Sequence, residues 1–223
     1  MKIATRIFEI LDSIIFGLYD TTVAFFKDTG TYGQGYYYGN QYNYQPVPEA
    51  SQKIKIKLNH KAFLKLKYYT KHIDIEWGGL IVSTKNGNII TVEDILISHQ
   101  KASHGHFQMD LNSLGKMIEI IAEKSPKLLE KIRGWCHSHN SMGVFWSGED
   151  NDTFDKLCDY YGDYVVGVVV NKAGEQKWRV DIKTQGFGKL VLDDLKYDVV
   201  MNDRKLEEQC KEDIIKHVKR RFL

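Results

Sequence analysis

Cysteine is scarce in this chain of 223 residues: only Cys136, Cys158 and Cys210 occur. An odd, widely spaced set without a Cys-x-x-Cys pair argues against a disulfide framework and for a reducing compartment. An excess of charge of one sign is also missing. The 31 basic and 29 acidic residues leave a formal net charge of +2, so no global field recommends nucleic acid or a membrane surface as a partner. Long apolar runs are absent as well. The nearest approach, Met1 to Phe26, is interrupted by Glu9, Asp12 and Asp20 and leads to no small-residue cleavage site. Neither a membrane span of about 20 residues nor a signal peptide is therefore expected, and a cytoplasmic location is the default. Aliphatic side chains vanish between Asp28 and Val47, where glycines alternate with tyrosines among Gln and Asn. That stretch cannot build its own core and reads as a flexible linker over residues 28–50.

What remains has the composition of a globular domain, with 43% apolar and 27% charged residues. Ile3, Ile7, Ile10, Leu11, Ile14 and Leu18 recur at helical spacing, giving an amphipathic helix within residues 1–27. Such a helix would pack on the main domain or on a second copy of the chain, so an oligomer through it is one expectation. A docking element for a partner or a membrane surface is another. The folded domain is expected over 51–223.

Within it, Ile54, Ile56 and Leu58 alternate with lysines as in a half-buried strand, and Asn59 can cap a helix from His60 to His72. That helix is expected to bury Phe63, Leu64, Leu66 or Tyr68. The seven lysines between residues 53 and 71 read as solvated faces rather than a nucleic-acid patch. Residues 78–84 predict a strand that returns through Asn86-Gly87 to a second strand over 89–97. Another strand is expected over 104–109, then a helix capped by Asp110 and a short one opened by Ser125-Pro126. The continuous apolar run from Tyr164 to Val170 marks a strand buried on both faces, followed by a partner over 177–182. The tail from about Leu190 to Phe222 reads as helix. Strands and helices mixed with hairpins predict an α/β (α+β) fold, an α/β/α sandwich with a mixed, largely antiparallel sheet.

The stretch from Gly134 to Asp150 carries the chemistry. His137 and His139 stand one residue apart, and a strand over 132–139 puts both imidazoles on one face. Ser147 and Asp150 have the spacing of a capping box for a helix over 148–161, and the first turn of a helix is a rigid place from which to present a carboxylate. Two imidazoles and one carboxylate leave the open fourth position of a catalytic rather than a structural zinc site. Cys136, pointing away from both histidines by alternation, reads as a buried thiol. His104, His106 and Asp110 form a second, weaker His-x-His arrangement, and His99 and Gln100 could border a groove. Trp135 and Trp146 are expected to pack in the core or near the metal.

These residues resemble the JAMM (MPN+) zinc metalloprotease family. Its motif of His-x-His, seven residues, Ser, two residues and Asp is matched by His137, His139, Ser147 and Asp150, and the upstream glutamate by Glu76 in Glu-Trp-Gly-Gly-Leu. The resemblance covers about residues 53–185 and departs from many members at Asn140, where a proline commonly follows the second histidine. It implies a cytidine-deaminase-like core with Zn²⁺ held by His137, His139 and Asp150. Glu76 would be the general base and Ser147 would bond the developing oxyanion. The implied reaction is hydrolysis of a peptide or isopeptide bond in a protein or peptide substrate, including the C-terminus of a ubiquitin-like protein. The alternative is a non-catalytic scaffold of the same fold. Such modules typically lose ligands, whereas all five positions are present here.

Overall fold

Alternation at the start of the domain turns Ile56 and Leu58 fully inward on strand β1 (Lys55–Asn59). The computed structural model describes residues 54–105, 107–184, 188–200 and 206–220. The expected N-terminal helix and linker (residues 1–27 and 28–50) lie outside the described residues. Helix α1 (His60–His72) begins where Asn59 Oδ1 accepts the Ala62 N–H at 2.9 Å, so one of the helix's orphan donors is satisfied. Its buried stripe is Ala62, Lys65, Leu66 and Tyr69. Of the expected face only Leu66 is fully buried. Nor is every lysine solvated. Lys65 is 4% exposed because its Nζ reaches Asp94 at 3.0 Å and the Ile95 carbonyl at 3.1 Å, and a buried charge persists only when paired in this way.

Strands β2 (Gly78–Asn86) and β3 (Ile89–Leu96) form the expected hairpin. The single strand expected over 104–109 is instead a small hairpin, β4 (Gln100–Ala102) with β5 (Phe107–Met109), and His104 lies in the bend between them. Asp110 caps helix α2 (Leu111–Lys124) by accepting the Ser113 N–H at 2.7 Å. Pro126 opens the one-turn helix α3 (Pro126–Leu129), although Ser125 makes no side-chain cap bond. Strand β6 (Ile132–Ser138) follows, then helix α4 (Gly148–Tyr161), which Gly162 stops at φ +67°, a conformation that costs glycine nothing. Strand β7 (Tyr164–Val170) is buried at every residue and pairs with β8 (Gln176–Thr184).

The tail departs from the expected helix. It holds strands β9 (Gly188–Leu192) and β10 (Tyr197–Val200) before helix α5 (Leu206–His217) and strand β11 (Val218–Arg220). Leu190, Val191 and Leu192 zip antiparallel onto β8, and Val199 and Val200 run parallel to β1. Open sheet edges thus overrode the weak helical pattern of this charged segment, as tertiary context commonly overrides propensity.

The main sheet has the order β10-β1-β3-β2-β6-β7-β8-β9, and β11-β4-β5 make a second, smaller one. In the main sheet β1 runs parallel to both β10 and β3, and β6 parallel to β7, while the remaining neighbours are antiparallel. The fold is mixed α/β, and its sheet is more evenly mixed than the expected, largely antiparallel one. Apolar side chains fill both faces. One core joins α1 and Cys210 of α5 to Ile81, Cys136, Val166 and Val168, and the other joins α2, α3 and α4 to Leu80, Trp135 and Val165. Among the described residues no helix is long and apolar enough to cross a membrane.

Candidate metal centre

Strand β6 is interior to the sheet, between β2 and β7. Its pleat sends Cys136 into the α1 side of the sheet and Trp135 into the α4 side. His137, two residues on from Trp135, shares the α4 side, and its ring stacks on the indole at 4.8 Å between centroids. His139 lies just past the strand's end, but its N–H still bonds the Val170 carbonyl at 2.9 Å, which holds the alternation one residue further. Helix α4 sits close to the sheet because the Phe154 ring lies flush on Gly167 of β7, where any Cβ would overlap it. That seat brings Asp150, in the helix's first turn, up to the two imidazoles.

The three ligand atoms lie within 4.8 Å of one another, and all three residues are buried. His137 Nε2 is 3.1 Å from His139 Nε2 and 3.5 Å from Asp150 Oδ1. Two ligands about 2.0–2.1 Å from one ion at a tetrahedral angle stand roughly 3.3 Å apart, so the spacing fits a single small cation. Protonation fits as well. His139 Nδ1 lies 2.9 Å from the Gly143 carbonyl, which can only accept. The ring therefore carries a proton on Nδ1 and turns Nε2 toward His137, the orientation that a partner on the far nitrogen fixes in metal sites. Burial lowers the His137 pKa to about 4, against the attraction of Asp150, and His139 lowers it further. A neutral imidazole is the ligand form. His137 Nδ1 itself is buried without a hydrogen-bond partner.

Asp150 is held by both halves of a capping box. Ser147 donates to its Oδ2 from the backbone N–H at 2.8 Å and from the hydroxyl at 2.7 Å, and accepts the Asp150 N–H at 3.1 Å. Oδ2 is thus occupied and Oδ1 faces His137. Glu76 is 5% exposed, is anchored by its N–H to the Ser103 carbonyl at 2.8 Å, and lies close enough to feel the charge of Asp150. Burial first, and then the charge of Asp150, push its pKa from the usual range up to about 7. His137, His139 and Asp150 thus form a cluster that could hold a metal ion, and Glu76 holds a proton that exchanges near neutrality.

No protein-family model matches this chain, and no curated protein does either.

The loop over the site explains Asn140. Its φ is +48°, a value that proline, locked near −65°, cannot adopt, whereas asparagine tolerates it and here donates Nδ2 to the Asp74 carbonyl at 3.1 Å. Asn171 ties the same loop down by donating to the Met142 carbonyl at 2.9 Å. Phe145 leans on His139 with ring centroids 4.5 Å apart, yet stays 50% exposed. Trp146 meets His137 edge-on at 6.1 Å and donates Nε1 to Asp193 Oδ1 at 2.9 Å.

Other candidates take other roles. Cys136 is fully buried, its Sγ 3.5 Å from the Gly79 carbonyl, and burial pushes its thiol far up. The second His-x-His arrangement is not assembled among the described residues. His104 is exposed, the Asp110 carboxylate is spent capping α2, and His106 lies outside the described residues. Gln100 borders no groove, because it is 2% exposed with its amide clamped to both the N–H and the carbonyl of Gly78. His99 lies against His217 of α5 instead, with ring centroids 4.9 Å apart and the rings tilted by 51°. Sequence reasoning missed Phe107, whose ring packs 5.8 Å from Trp135, because a three-residue strand has too little pattern. It also missed Arg179 and Asp181, although opposite charges two apart on a strand share a face.

Proposed function

We propose that this chain is a zinc-dependent metallopeptidase of the JAMM type, hydrolysing a peptide or isopeptide bond in a protein substrate such as a ubiquitin-like conjugate. One observation carries the reading. Two imidazole nitrogens and a carboxylate oxygen, all buried, converge within 4.8 Å of one another, and the buried carboxyl of Glu76 is near enough for the charge of Asp150 to help hold it near neutrality. His137, His139 and Asp150 would hold the ion. Zinc bound there would supply Lewis-acid chemistry, lowering the pKa of water toward about 7.

The protein's own groups do the rest. Glu76, with a carboxyl that titrates at about 7, accepts a proton from the attacking water and returns it to the leaving amine, since a base works best when its pKa lies near the working pH. Ser147 holds Asp150 through two donors. When the hydroxyl turns to the oxyanion of the tetrahedral intermediate, the backbone N–H keeps its grip on Oδ2, so the ligand stays placed while the charge is met. Stacked Trp135 and the tethered loop keep the histidine rings from swinging out.

The test is to incubate the zinc-loaded wild type and Glu76→Gln with linear and isopeptide-linked ubiquitin-like fusions. The wild type should cleave, while Glu76→Gln keeps its zinc and loses about 10²–10⁴ in rate. Equal rates in the two proteins, or intact fusions throughout, refute the reading.

A further inference from the structure

Arg179 is a buried cation that the chemistry above leaves unused. It stands on β8 at 4% exposure, and its Nε and Nη2 donate to Asp181 Oδ1 at 2.6 Å and Oδ2 at 2.8 Å. Asp181 is fully buried and also meets Lys189 Nζ at 2.9 Å. The guanidinium lies over the Phe154 ring, 4.4 Å from its centroid, and 5.9 Å from that of Trp146. It therefore sits under the first turns of α4 and the end of the loop that covers the site.

Its remaining arm, Nη1, donates to Asn151 Oδ1. Asn151 in turn donates its Nδ2 to the Ser147 carbonyl at 2.9 Å, and its backbone N–H bonds the same oxygen at 3.2 Å. Ser147 is the residue whose N–H and hydroxyl fix Asp150 Oδ2. An unbroken path of hydrogen bonds thus runs from Asp181 through Arg179, Asn151 and Ser147 to Asp150. A buried ion pair alone adds little to stability, and the Arg179–Asp181 pair has no need of Asn151. A ligand carboxylate does need to be held within about 0.5 Å of its working position.

We propose that Arg179 is a positioning residue of the metal centre. Through Asn151 it locks the first turn of α4, and so sets where Asp150 presents its free oxygen. The inference rests on the metal-site reading of His137, His139 and Asp150.

The experiment titrates zinc into the metal-free full chain against a chromophoric chelator and records the cobalt visible spectrum of each variant. Asn151→Ala severs the path and leaves the Arg179–Asp181 pair intact. Its zinc affinity should fall about 10–100-fold, the usual loss when an outer partner of a metal ligand is removed, with an altered cobalt spectrum and nearly unchanged unfolding of the metal-free protein. Asn151→Asp, which retains the acceptor for Arg179 and the backbone N–H to the Ser147 carbonyl but loses the Nδ2 donor, should restore part of the affinity. Arg179→Lys should weaken zinc binding to a similar extent, and combining it with Asn151→Ala should add little, because both act on one path. If Arg179→Lys does not fold, the two Asn151 variants decide. Asn151→Ala binding zinc like the wild type, Asn151→Asp as weak as Asn151→Ala, or full additivity with Arg179→Lys would each overturn the positioning role. A wild-type chain that takes up no zinc overturns the metal reading itself and this inference with it.

Discussion

Replacing Glu76 by Gln should make the metal-free protein more stable at neutral and alkaline pH, although it removes the proposed base. The folded-state pKa of Glu76 is about 7 against an ordinary 4.5, because burial and Asp150 both disfavour the carboxylate. Below about pH 4.5 the group is protonated in the folded and the unfolded chain and costs nothing. Between about pH 4.5 and 7 the unfolded chain releases a proton that the folded chain keeps, so stability is lost across that window, and above 7 the folded chain carries the charge buried. A shift of about 2.5 units at 1.36 kcal/mol per unit gives about 3 kcal/mol. His137 has the opposite sign. Its folded pKa is lowered to about 4, so its contribution is present above the ordinary histidine value and lost as pH falls through 4. That contribution is common to wild type and variant and cancels in their difference. Urea unfolding of chelator-treated proteins at about pH 4, 6 and 8 reads that difference directly. Glu76→Gln should exceed wild type by about 3 kcal/mol at pH 8, equivalent to roughly 6–12 °C in Tm for a chain of this size, and by nearly nothing at pH 4. A difference independent of pH, or a variant less stable at pH 8, would refute the electrostatic account of the site.

Three further outcomes follow from the same geometry. Asn140→Pro forces φ from +48° toward −65° and should cost about 3 kcal/mol or more in thermal unfolding, whereas Asn140→Gly loses only the bond to Asp74, about 1 kcal/mol. Gly167→Ala drives a methyl into the Phe154 ring. It should cost about 1–3 kcal/mol and, by lifting α4, should also weaken zinc binding in a calorimetric titration. Zinc at about 100 times its Kd should raise unfolding stability by about 2.7 kcal/mol, an effect that denaturation of Asp150→Ala should not show.

The site was more legible in the sequence than the fold around it. His137, His139, Ser147 and Asp150 are close in the chain, and strand and helix periodicity alone carried them to one face and one helix turn. Glu76 lay some sixty residues away and was reachable only through the resemblance to a known motif. Burial by a distant segment, which gives its carboxyl a pKa near neutrality, has no local signature. Asn140 departed from the motif without explanation until its φ was known, since a backbone angle leaves no trace in residue order beyond a tolerance for asparagine. The caps at Asn59, Asp110 and Ser147 were readable because each uses a side chain within three residues of its target. Strands β9 and β10 were not, because their hydrogen bonds go to β8 and β1, and only the assembled sheet offers those edges. Lys65 was misjudged for a related reason, as the partner of this helical residue, Asp94, is on strand β3.

The central claim is that His137, His139 and Asp150 form one metal site that serves hydrolysis. Zinc titration of the metal-free wild type, His137→Ala, His139→Ala and Asp150→Ala tests it most directly. One equivalent should bind the wild type tightly, and each variant should lose at least two orders of magnitude in affinity. Wild type that binds no zinc, or variants that bind it as well as the wild type does, would contradict the account.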